Sequence, residues 1–75
     1  MKGVIVVNSK GVAIKGTMSP EATIEYGGLI NNFNLKAQLT VKSLHPEEEI
    51  TLIRIRSKKH EIMIAPDKDF CLIVI

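Results

Sequence analysis

The stretch from Ser19 to Leu44 limits the fold more than any other part of the chain, because it reads as one long amphipathic helix. Ser19, Pro20 and Glu21 form a start signal. A serine oxygen accepts from free backbone N–H groups, proline fits the first helical position, and an acid suits the positive end of the helix dipole. No proline follows until Pro46, where the helical pattern stops. At about 1.5 Å per residue the span is roughly 35–40 Å, whereas a five-stranded sheet is only about 24 Å wide. Such a helix crosses a small sheet and projects beyond it.

The apolar residues of this stretch fall into two stripes. Tyr26, Ile30, Phe33, Ala37, Val41 and Leu44 recur at three- and four-residue steps and predict a face broad enough to lie on a sheet. Ile24, Gly28, Leu35 and Leu39 form a second line on nearly the opposite side. Scattered surface apolars are common. A line at helical spacing also suits contact with another helix, and Gly28 allows a close approach. Ile24, Gly28, Leu35 and Leu39 are therefore candidate dimer-interface residues.

Five short strands surround the helix. Val4 to Val7 is apolar at every position, as in a strand covered on both faces. Ser9-Lys10-Gly11 is a tight turn, with glycine free to take a positive φ. Val12 to Thr17 alternates and suits an edge strand, protected by Lys15 and Gly16. After the loop His45-Pro46-Glu47-Glu48-Glu49, further strands are expected at Ile50 to Arg56, His60 to Ala65 and Phe70 to Ile75. The last is apolar throughout, so it joins the first at the centre. The expectation is an α+β fold of the α/β class: a five-stranded antiparallel sheet in the order 2-1-5-4-3, with the helix connecting the second and third strands.

Seventy-five residues allow one domain with a small core. Apolar content of 45% argues against disorder, and a net charge of +2 is too small to imply nucleic acid or an anionic membrane. No apolar run reaches membrane-spanning length and no signal peptide is visible. Lone Cys71 cannot make an internal disulfide and suits a reduced, intracellular protein. One helix leaves a sheet face bare. Several hundred Å² of apolar surface at about 25 cal/mol per Å² is on the order of 10 kcal/mol as an upper bound, against about 5–15 kcal/mol for a whole domain. A partner is expected on these grounds.

Particular residues then carry a resemblance. Val4-Ile-Val-Val-Asn8, Ile14-Lys15 before Thr17-Met18, Leu35-Lys36-Ala37, Arg54-Ile-Arg-Ser-Lys-Lys59, Glu61 to Asp69 and Leu72-Ile-Val-Ile75 resemble the roadblock-type light chains of cytoplasmic dynein. The resemblance runs over almost the whole chain, and the block from Arg54 to Asp69 is its most specific part. It implies a roadblock/profilin-like fold, residues 1–75 forming a single roadblock-type domain truncated at its N-terminus. Family members begin with another helix, which covers the second sheet face, and continue a few residues beyond Ile75. It further implies a noncatalytic, cytoplasmic, microtubule-associated homodimer that binds the dynein intermediate chain. In such dimers the long helices pack together and the third strands pair edge to edge. Thr51, Ile53 and Ile55 on the expected third strand are the matching interface candidates. The alternative is a roadblock-type scaffold acting on small GTPases; cargo adaptors are further possible partners.

Catalytic chemistry is not apparent, and no cofactor or metal is expected. Gly11 to Thr17 has the glycine spacing of a phosphate loop, but Thr17 stands where the lysine belongs and the segment reads as a strand. His45 and His60 lack ligand spacing, Cys71 reads as core, and Glu47, Glu48 and Glu49 read as a solvated loop. Arg54, Arg56, Lys58, Lys59 and Lys68 could form a basic patch at one end of the sheet. The plain reading is solvated turns, and the functional one, held for Arg54, Arg56, Lys58 and Lys59, is an acidic partner peptide. The region lacks the aromatic residues that nucleic acid stacks on.

Overall fold

The two most apolar strands pair at the middle of the sheet, where both of their edges are satisfied. The computed structural model describes residues 2–75. The elements are β1 (Val4–Asn8), β2 (Ala13–Gly16), α1 (Pro20–Leu44), β3 (Ile53–Arg56), β4 (Glu61–Pro66) and β5 (Phe70–Val74). All the strand pairs are antiparallel, in the order β2-β1-β5-β4-β3. This is the order expected from the sequence. Gly11 takes φ 83° in the first turn, where Asn8 Oδ1 accepts from the N–H groups of Lys10 and Val12.

Ile5, Ile73 and Ile64 stand opposite one another across β1, β5 and β4 and are fully buried, with Val7 beside them. Their side of the sheet carries α1. Ser19 Oγ caps the helix by accepting from Ala22 N–H at 3.2 Å, and the N–H of His45 closes the far end on the carbonyl of Val41 at 2.7 Å. The helix starts over β2, where Gly16 faces Thr23, and passes over β1 and Cys71 of β5 toward the β4–β5 turn.

The helix face on the sheet differs from expectation. Ile30 is buried there and Ala37 and Val41 are half-buried, but Tyr26, Phe33 and Leu44 are exposed. The buried line is Thr23, Gly27, Ile30 and Asn34. Size decides this. A Cβ on Gly27 would stand 3.3 Å from Cβ of Ala13 and 3.7 Å from Cγ2 of Ile5, so large residues would hold the helix off the sheet. The third strand is also shorter than expected, because Ile50, Thr51 and Leu52 are not strand. Continuing the β3–β4 register would set Thr51 opposite Pro66, which has no N–H to offer.

Asn34 is an exception within the core. It is 4% exposed; its amide nitrogen reaches Cys71 Sγ at 3.9 Å, and Oδ1 has no partner. A buried unsatisfied polar group costs about 1–3 kcal/mol. Asn34→Ala, which removes the unpaired oxygen without adding bulk to this closely packed face, is therefore expected to cost less than about 1 kcal/mol in urea denaturation, the relief of the unsatisfied group offsetting the lost packing; a loss of about 3 kcal/mol or more would show that the amide holds the helix in place.

The opposite sheet face is open. Val4, Val6, Met63, Ala65, Leu72 and Val74 alternate with the buried set and form a continuous apolar field, and Phe70 and Leu72 are about half exposed. Among the described residues no element lies over it.

Candidate protein-interaction site

The free edge of β3 is built by pairing geometry. Ser57 N–H donates to His60 C=O at 2.8 Å at the end of the β3–β4 hairpin. Antiparallel pairing alternates, so Ile55 and Ile53 spend their backbone groups on β4 while those of Arg54 and Arg56 point outward. The side chains alternate the other way. Ile53 and Ile55 are half-buried against the core on the helix side, and Arg54 and Arg56 lie on the open face. Thr51 is exposed in the loop before β3.

Two apolar lines of α1 remain exposed on either side of its buried face. Asn31 leans on Gly11 of the β1–β2 turn, and Gln38, Val41 and Lys42 border a groove of about 640 Å³ with Thr51 and the β4–β5 turn. The flank bearing Asn31, Gln38 and Lys42 thus faces the end of the sheet that holds both turns. At helical spacing, Tyr26, Phe33 and Leu44 fall on the other flank. That flank leans toward the end where Ile55 and Ile62 complete the hairpin. Ile24, Gly28, Leu35 and Leu39 point outward from the sheet, with Ile24 70%, Leu35 51% and Leu39 68% exposed and open space at Gly28. The candidates taken from the sequence therefore form two groups, one at the β3 edge and one along the outer helix.

The basic residues also divide. Arg54 and Arg56 bracket Glu61 at 3.6 and 3.2 Å, and exposed Lys58 and Lys59 continue this corner in the turn. Lys68 is at the opposite end of the sheet, in the β4–β5 turn, so it does not join them. The double substitution Lys58→Ala, Lys59→Ala is expected to change stability by no more than about 0.5 kcal/mol, as thermal unfolding will show, because neither side chain is buried.

No catalytic constellation forms among the described residues. The Gly11-to-Thr17 segment runs through β2 and is not a phosphate-binding turn. Burial pushes the Cys71 thiol up, away from the reactive thiolate. His45, Glu47 and Glu48 bring ligand atoms within 4.8 Å of one another in an exposed loop, a grouping that sequence spacing had not suggested. These three are the residues that could hold a metal ion. What the surface offers best is a free strand edge, half-exposed apolar helix flanks and a basic corner, which suits binding another protein.

A family model described as Roadblock/LC7 domain matches residues 1–75. The chain belongs to the Roadblock/LC7 domain family. Its fold also matches the crystal structure of a Roadblock/LC7 domain from Streptomyces avermitilis, with a TM-score of 0.86 at 7% sequence identity, over 96% of this chain and 62% of that one. The Roadblock/LC7 chain described here thus spans less than two thirds of that protein's length, and at this identity the likeness shows a common fold. Family membership accounts for the sheet order, the connecting helix and the open β3 edge as one design. Roadblock/LC7 domains typically dimerise and bind partner proteins.

Proposed function

We propose that this chain is a noncatalytic adaptor that homodimerises through β3 and docks the dynein intermediate chain, linking the motor to cargo in the cytoplasm. The outward N–H and C=O groups of Arg54 and Arg56 carry this reading. An unpaired strand edge is a template for another strand, and pairing β3 with its own copy satisfies both edges in an isologous contact. Ile53 and Ile55 lie on that edge strand and would lose their remaining exposure. Thr51 extends the contact at the start of β3. The corner of Arg54, Arg56, Lys58 and Lys59 supplies positive potential for an acidic segment of the partner.

The motor assignment rests on the block from Arg54 to Asp69 that resembles dynein light chains. The fold by itself suits equally a scaffold for small GTPases. Pull-down with the tagged chain from cell extract separates the two. Recovery of the dynein intermediate chain is the expected result. Recovery of a small GTPase without intermediate chain would replace it with the scaffold reading.

A further inference from the structure

The sheet comes apart where β3 would continue beside β4. Ile53 pairs with Ile64, so Thr51, two residues earlier, stands opposite Pro66. Antiparallel pairing alternates, and the backbone groups of Thr51 therefore point toward β4, as those of Ile53 do. Proline has no N–H to meet them. From Glu49 to Leu52 no backbone group has a backbone partner among the described residues. A short run of main chain is thus left with its donors and acceptors unused by the fold.

That run borders a groove of about 640 Å³, closed on one side by α1 and on another by the β4–β5 turn. The volume lies within the roughly 300–1,000 Å³ of sites that hold ligands. Val41, Ile50 and Pro66 give it an apolar lining. Its charges do not balance: Glu48, Glu49 and Asp67 face it against Lys42 and Lys68. Lys42 is already engaged, 3.8 Å from Glu49 Oε1 and 3.3 Å from the carbonyl of Pro46. The groove is therefore locally acidic in a chain whose net charge is +2.

We infer that this groove is a docking site for an extended segment of a partner protein, which lies as a short strand between residues 49–51 and the β4–β5 turn and carries a basic residue. The unused N–H and C=O of Thr51 select a peptide main chain, since strand addition supplies both a donor and an acceptor at matching spacing. The acidic excess selects the charge, with exposed Asp67 placed to meet it. The site is independent of the β3 edge, because the groups of Thr51 point inward while those of Arg54 and Arg56 point outward. It also differs in sign from the basic corner at the other end of the sheet.

The test is an NMR titration of the full chain, labelled with nitrogen-15, against three short acetylated peptides. One has alternating valine and threonine around a central lysine, the second has glutamate in place of the lysine, and the third is the lysine peptide with alternate backbone nitrogens methylated. The lysine peptide is expected to shift the amide signals of Glu49 and Thr51 and to bind about fivefold more tightly than the glutamate peptide, the ratio for a partly exposed charge contact. The methylated peptide is expected to leave those signals in place. Asp67→Asn is expected to narrow the difference between the lysine and glutamate peptides. No shift at these amides, equal affinity for the two charges, or undiminished binding after methylation would overturn the inference. So would shifts at the same amides that follow the concentration of the chain alone, since a second copy would then be the occupant. None of these readouts uses the intermediate chain or β3 pairing, so this inference and the proposed adaptor role fail separately.

Discussion

Ile73→Ala is expected to lower stability by about 2–5 kcal/mol, the range for deleting a large buried aliphatic side chain. Ile73 is the middle of three fully buried isoleucines set side by side on β1, β5 and β4, with α1 above them. The substitution removes contacts on both strand neighbours and leaves a void that a small sheet can only partly close. A domain of this length has a small core to draw on, and single domains hold only about 5–15 kcal/mol in all. Much of the folded population should therefore be lost. Leu72→Ala, one residue away on the open face and 42% exposed, serves as the comparison. Urea denaturation at constant m-value reads both. A loss at Ile73 no greater than that at Leu72 would mean that the helix-covered face is not the core.

The sheet was legible because its two central strands carry apolar residues on both faces, the open one included, which leaves a plain mark in sequence. Val4 to Val7 and Phe70 to Val74 lack the alternation of outer strands, and placing both at the centre leaves few orders for the rest. The helix ends were legible from Ser19-Pro20 and Pro46, which act through local backbone chemistry. Its rotation was not. Apolar periodicity favours large residues, so Tyr26, Phe33 and Leu44 drew the predicted face. The structure selects for smallness through Gly27 and Thr23, and even accepts Asn34. Close packing against a neighbour is a property of two surfaces, and only one of them is in any helical repeat. The start of β3 was misplaced for a related reason: Ile50 and Leu52 have strand propensity, but a strand also needs a partner that can bond it. The position of Lys68 depended on which turns share an end of the sheet, and the grouping of His45 with Glu47 and Glu48 on the path of one loop. Spacing records neither.

Arg54→Pro is expected to abolish pairing at the β3 edge while leaving the chain folded. Arg54 does not use its N–H on β4, so proline removes no bond of the hairpin. Proline is tolerated on edge strands where the N–H faces solvent. If that N–H instead meets a second copy, both chains lose a ladder bond at each symmetry-related position and the ring intrudes on the joint. The most direct measurement is sedimentation equilibrium of Arg54→Pro beside the parent chain. The parent chain is predicted to be a dimer, and the variant a folded monomer by mass and circular dichroism. A variant that stays dimeric would show that the chain does not associate through β3, and would contradict the proposed roadblock-type dimer.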